Sequence, residues 1–198
     1  MLQALLQRTG GADGAAALET ILNRQAPNGS AVSLLNLVHG NTDRANALAR
    51  LSGMFSAQPA KTFFQPPNAA SYGLSDVNWK HMLDRHTYEY FDFGTIQNVK
   101  NAATMWPPGT TPAQVMARLD EAMQIVQQQG VIPQAEAQAR VMLSDGLFVQ
   151  VGVRRGSGKG GIVVGQFFPV AIQPDSRWSD IETVSAPELN ALKALFGR

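Results

Sequence analysis

Apolar residues recur at helical spacing through the first third of the chain. Leu2, Leu5 and Leu6 precede a glycine-rich break at Gly10, Gly11 and Gly14. Leu18, Ile21 and Leu22 mark a second helical run over 15–25. Pro27-Asn28-Gly29-Ser30 stops that run, and Ser30 is placed to cap a third helix carrying Val32, Leu34, Leu35, Leu37 and Val38. Asp43 is read as the cap of a fourth helix, 44–55, with Ala47, Leu48, Leu51 and Met54 on one stripe. The pattern breaks over 58–71, where Pro59, Pro66 and Pro67 indicate a linker.

Beyond the linker the periodicity is mixed. Ser75 or Asp76 can cap a helix through Trp79, Met82 and Leu83, and Asp92 and Gly94 fall in a following loop. Residues 105–109 read as a turn. Thr111 and Pro112 suit the N-cap and first position of an amphipathic helix whose stripe is Val115, Leu119, Ala122, Met123 and Val126, closed by Gly130. Runs 139–142, 147–153 and 162–171 are rich in β-branched and aromatic residues and read as strands, with a basic, glycine-rich hairpin loop over 154–161. Ala186-Pro187 opens a terminal helix with Leu189, Leu192 and Leu195. Runs of helix followed by runs of strand predict an α+β protein. The expected division is a helical segment, 1–70, and a mixed domain, 71–198, of helices packed on an antiparallel sheet.

Composition narrows the chemistry. Among 198 residues there is no cysteine, which removes disulfides, thiolate metal sites and a cysteine nucleophile. Charged residues make up 16% and the net charge is +1, so no global field attracts nucleic acid. Arg140, Arg154, Arg155, Lys159 and Arg177 nevertheless outnumber Asp145 and Asp175 between residues 140 and 177. No run approaches the roughly twenty apolar residues of a membrane-spanning helix, so no stable membrane insertion is expected. Residues 1–6 lack a basic region followed by a long apolar run, so no signal peptide is expected.

Two of the three histidines, His81 and His86, share a segment with Lys80, Arg85, Thr87, Tyr88 and Tyr90. Metal-binding helices place histidines at i and i+4. Five residues apart, the two rings of a continuous helix diverge by about 140°, so no metal ligand set is expected. Metal-free RNA cleavage fits these residue types better. Histidine can move the 2′-OH and leaving-group protons, arginine matches two phosphate oxygens, and tyrosine can stack a base. The plainer reading is that histidines beside an apolar helix face are structural, as His39 is read to be. Gly156 to Gly161 lacks the spacing of a phosphate-binding loop and precedes a strand rather than a helix. Asp92, Asp145, Asp175 and Asp180 form no pair that can be placed across one glycosidic bond. No serine-hydrolase elbow is present.

The string His81-Met82-Leu83-Asp84-Arg85-His86-Thr87 resembles the "His, aliphatic, two variable residues, Arg, His" signature of toxin nucleases in the barnase–EndoU–colicin–RelE superfamily. Trp106-Pro107 followed by a helix, a meander with a glycine-rich turn over 140–164, and Phe167-Phe168-Pro169 match the order of features in such domains. The resemblance spans roughly residues 76–170. Related domains place Ser or Thr shortly before the last aromatic–Pro unit; this chain has Gln166, with Thr87, Thr104 or Ser157 as substitutes for that phosphate contact.

The resemblance implies a small barnase/EndoU/RelE-like domain after an entry or pre-toxin segment. It implies a secreted or delivered ribonuclease toxin of polymorphic-toxin or contact-dependent inhibition systems, acting in the target-cell cytoplasm. RNA, commonly transfer RNA, is the implied substrate, and a cognate immunity protein the implied partner of a monomeric toxin. Expected catalytic residues are His81, His86, Arg85 and Thr87. Expected substrate contacts are Lys80, Tyr88, Tyr90, Arg154, Arg155, Lys159 and Gln166. No cofactor is expected. Two other classes compete: a non-catalytic RNA- or protein-binding module on the same scaffold, and an ADP-ribosyltransferase toxin using Arg85 with Glu136 or Glu182. The last is disfavoured because both glutamates are read in helix or loop context.

Overall fold

The computed structural model describes residues 16, 19, 30–56, 71–94, 102–130, 136–157, 159–170 and 182–196. Nearly all of the linker read over 58–71 lies outside them, as do the helical runs expected before residue 30 apart from two single residues. The protein is α+β, with helices and antiparallel sheet. It divides into two compact units. One draws on Met1–Pro59, Asp92–Ala102 and Val184–Arg198, the other on Ala60–Phe91 and Ala103–Thr183.

The first unit contains helices α1 (Ser30–Val38) and α2 (Thr42–Ser56). It also takes in the terminal helix, which the sequence alone assigns to the mixed domain. Asn41, not Asp43, caps α2: its Oδ1 accepts from Arg44 N at 2.8 Å and its carbonyl from Ala45 N. The helix thus starts two residues earlier than the acidic residue suggests, and its buried stripe becomes Ala45, Leu48, Leu51 and Phe55. Phe93 meets Phe55 edge-on, with centroids 5.0 Å apart.

The second unit is built on helices α3 (Asp76–His86) and α4 (Pro112–Gln128) and strands β1 (Ala103–Met105), β2 (Glu136–Met142), β3 (Phe148–Arg155) and β4 (Ile162–Pro169). Strands β2, β3 and β4 form an antiparallel sheet in that order. A fifth strand, β5 (Glu182–Val184), pairs with β1 in a separate two-stranded sheet. It leads into α5 (Ala186–Phe196), the terminal helix of the first unit. Glu136 and Glu182 therefore open strands rather than lying in helix or loop. Such short strands carry too few residues for a visible alternation, which is why 103–105 reads as loop and turn in sequence.

Alternation along the longer strands sorts the sheet into two faces. Val141, Val149, Val151, Val153, Ile162, Val164 and Phe167 are buried with Trp79, Met82 and Leu83 of α3 and Val115, Leu119, Ala122, Met123 and Val126 of α4. Full burial of each large apolar side chain contributes about 1.5–3 kcal/mol. The other face carries Gln138, Arg140, Gln150, Gly152, Arg154, Gln166 and Phe168.

Both helices are fixed at their starts by side chains legible in the sequence. Ser75 Oγ accepts from Asn78 N at 3.2 Å. Thr111 and Gln114 form a reciprocal capping box ahead of Pro112. Thr111→Ala is expected to lower unfolding stability by about 1 kcal/mol, measured by denaturant titration. An unchanged midpoint would show that the amphipathic stripe alone holds α4.

Candidate functional site

Helix α3 is pinned along the outer edge of β4 at two points. Near its start, Asn78 Nδ2 donates to the Val164 carbonyl at 2.9 Å. At its end, the His86 ring stacks on Phe168 with centroids 4.8 Å apart and planes 13° apart. Eight helical residues rise about 12 Å and four strand residues about 13 Å, so helix and strand run side by side in the same direction. Gly73 extends the cover on this edge, donating to the Ile162 carbonyl and accepting from Val164 N.

Three motif pieces far apart in sequence meet at the end of α3. Trp106 N donates to the His86 carbonyl at 2.7 Å, and His86 Nδ1 lies 2.8 Å from the Thr104 carbonyl. Because a carbonyl only accepts, Nδ1 carries the proton and the neutral ring keeps Nε2 as an acceptor. Trp106 in turn packs on Phe167, with centroids 5.2 Å apart. Burial pushes the His86 pKa down to about 4, with nearby His81 and Arg85 adding to the effect against the Thr104 hydrogen bond. His86 is therefore uncharged at neutral pH.

Helix α3 continues through His86 before Thr87 turns extended. The divergence of about 140° between the two histidines applies in full. His81 is exposed, whereas His86 faces Phe168 and Thr104. For both rings to serve one phosphate the helix would have to end near Arg85 and let His86 turn back, but it runs through His86. Asn78, His81 and Arg85 instead share one stripe, at i, i+3 and i+7. The His81 pKa is lowered, chiefly by desolvation, with Asp84 opposing and Arg85 and Lys80 reinforcing.

The neighbours of these residues fall into two groups. Lys80 Nζ pairs with Asp84 Oδ2 at 3.2 Å. Asp84 is buried, its Oδ1 has no partner, and burial raises its pKa against the pull of Lys80. Arg85 Nε is also buried without a partner. Thr87 does not face the cleft: it is buried and its hydroxyl donates to the Leu83 carbonyl, closing the helix. Tyr88 is buried and offers no open ring face for stacking, and Tyr90 is half-buried against the apolar core.

Beside α3 lies an open cleft of about 250 Å³ lined by Asn78, Gln138, Gly152, Val153, Arg154, Gly165 and Gln166. It gathers Arg154 and Gln166 from the expected contacts. Arg155 is exposed at the end of β3, and Lys159 lies in the 3-10 turn Lys159–Gly161 leading into β4, its side chain outside the described residues. That turn depends on Gly160, which has φ +67°; a Cβ there would lie 2.7 Å from the Ser71 carbonyl oxygen. Asn78, Gln138 and Gly152 were not singled out from sequence. Helical spacing from His81 could have pointed to Asn78, whereas Gln138 and Gly152 come together through strand register. Among the described residues no three His, Asp or Glu side chains gather as a metal ligand set, and no helix is long and apolar enough to cross a membrane. Compared with known proteins, the chain matches no family model, and no curated protein or solved structure is found to be similar to it.

Proposed function

We propose that this protein is a metal-independent endoribonuclease of the interbacterial toxin kind. The observation that carries the reading is the alignment of α3 along β4, with His81 and Arg85 on the helical stripe of Asn78, which lines a cleft together with Arg154 and Gln166. His81, neutral and reachable, takes the proton of an RNA 2′-OH. The freed oxygen attacks the adjacent phosphorus, and the 5′-oxygen leaves with a proton drawn from water. Arg85 neutralises the charge that develops on the phosphate through its guanidinium. His86 is a positioning residue: through Thr104 and Phe168 it fixes the end of α3 and so the aim of Arg85. On this reading the substrate is RNA, transfer RNA in the first instance. The protein is delivered into a target cell, and a cognate immunity protein guards the producer.

A second reading is a non-catalytic RNA- or protein-binding module on the same scaffold. It is favoured by the net charge of +1, which supplies no long-range attraction to RNA. Incubation of the full chain with total bacterial RNA in excess chelator separates the two. Cleavage leaving 2′,3′-cyclic phosphate ends is expected. Intact RNA, or cleavage only after magnesium or zinc is restored, would overturn the proposal.

A further inference from the structure

We infer that two copies of this chain join through the open edge of β2, pairing antiparallel about Gln138 so that two three-stranded sheets become one of six strands. The inference concerns the second unit alone and goes beyond the ribonuclease reading, on which it does not depend. A self-paired dimer replaces the monomer that the resemblance implies.

Strand β2 ends the sheet β2-β3-β4. Its residues, Glu136 to Met142, pair with β3 in unbroken register. Its other side makes no main-chain hydrogen bond among the described residues. The neighbouring turn shows which groups are free. Leu143 N donates to the Leu147 carbonyl, so the odd-numbered positions of β2 aim their N–H and carbonyl groups at β3. Positions 136, 138, 140 and 142 therefore aim theirs at the open edge. The far rim of the sheet differs, because there Gly73 takes main-chain groups of Ile162 and Val164.

The devices that ordinarily close such an edge are missing from β2. Proteins blunt an edge with proline, with lysine, with a bulge or by keeping the strand short. Residues 136–142 contain no proline and no lysine. The register shift at Gly152/Val153 lies between β3 and β4, away from this edge. Gln138, Arg140 and Met142 are exposed along it.

A second copy suits the edge because the sequence there is complementary to itself. In Glu136-Ala137-Gln138-Ala139-Arg140, acid and base stand equally far from Gln138. With Gln138 opposite Gln138 in antiparallel strands, position 136 of each copy stands opposite Arg140 of the other. Opposite charges in that relation stabilise a pair of strands. Residues 136, 138 and 140 of one copy then exchange N–H···O bonds with 140, 138 and 136 of the other. Arg140 gives Nε to Gln150 Oε1 at 3.2 Å, which leaves its terminal amino groups for a carboxylate. Within its own sheet position 136 is opposite Arg154, so the second copy adds an arginine from the open side. On the other face the same register sets 137 opposite 139, alanine on alanine, and no bulky side chain meets another across the join. Centred on Ala139, the pairing loses both acid–base matches; centred on Arg140, it sets arginine against arginine. The charge pattern thus selects one register, and its two-fold symmetry closes the assembly at two copies.

Sedimentation velocity of the full chain over a range of concentrations is the experiment. A reversible monomer–dimer equilibrium is expected. Arg140→Glu and Glu136→Arg each set like charges opposite one another at both ends of the join. Each is expected to weaken association about ten- to a hundredfold. Mixing the two variants restores an acid–base match at every position, so a mixed dimer is expected to form at close to wild-type strength. The doubly exchanged chain, Glu136→Arg with Arg140→Glu, should likewise pair with itself. Melts at the wild-type temperature separate lost pairing from lost folding, and the doubly exchanged chain carries the comparison where a single variant fails to fold. A monomer at every soluble concentration, or growth beyond two copies, overturns the inference. So does undiminished association of a folded Arg140→Glu chain, or a mixture of folded single variants that stays monomeric.

Discussion

Replacing His81 by alanine is expected to slow RNA cleavage by about 10² to 10⁴, with the thermal melt almost unmoved. On the proposed reading the rate should fall because His81, whose pKa is lowered, is the base that takes up the 2′-OH proton. The melt should hold because the residue is exposed. A pH profile adds a readout that a structural role would not move. With His81 as the base, kcat/KM is lost as pH falls through its pKa. That pKa lies below the ordinary 6.5 because partial desolvation, with Arg85 and Lys80, outweighs the attraction of Asp84. The acid limb should therefore appear below pH 6.5, with no histidine limb on the alkaline side. His86→Ala provides the contrast: its losses should come with a lowered melt. Near-full activity of His81→Ala would remove the base from this assignment.

Stability is expected to drop by up to about 3 kcal/mol as pH falls from 6.5 to 4, because His86 is stored neutral in the fold. Its folded pKa is about 4 and its ordinary value 6.5. Between those values the unfolded chain binds a proton that the folded chain refuses. The contribution is thus fully present above pH 6.5 and is lost progressively on the way down to pH 4. Partial exposure of the residue makes the figure a ceiling. Denaturant titrations at pH 7 and pH 4 on the wild type and on His86→Gln check the sign. Glutamine can still donate to the Thr104 carbonyl but cannot titrate, so the difference between the two proteins cancels every other group. That includes Asp84, whose raised pKa acts in the opposite direction. Parallel pH dependences in the two proteins would show that His86 is hydrated enough to titrate freely.

Much of the α+β plan was readable from local rules. The caps Ser75 and Thr111, the stripe from Val115 to Val126 and the three longer strands all follow from spacing and side-chain chemistry that act within a few residues. What escaped depends on partners distant in sequence. Asn41 took the cap from Asp43 because either side chain suits the position, and only the placement of the helix start decides between them. Strand β1 is three residues long and owes its existence to β5, some eighty positions away. The site shows the same division. The signature located the helix, but the helical run through His86 parted the two histidines and buried Thr87 and Tyr88. The contributions of Gln138 and Gly152 arise from strand register, which a single row of letters does not express.

The cover on the rim of β4 has one more consequence. An uncovered strand rim presents free N–H and carbonyl groups to any extended peptide and invites intermolecular pairing. Here Gly73 occupies the main-chain groups of Ile162 and Val164, and Asn78 takes the Val164 carbonyl. The short stretch that, on the proposed reading, aims His81 and Arg85 thus also covers the start of the apolar run 162–169. A fragment beginning after Asn78 would lose its colloidal solubility together with its aim, because one segment serves as both gunsight and guard rail.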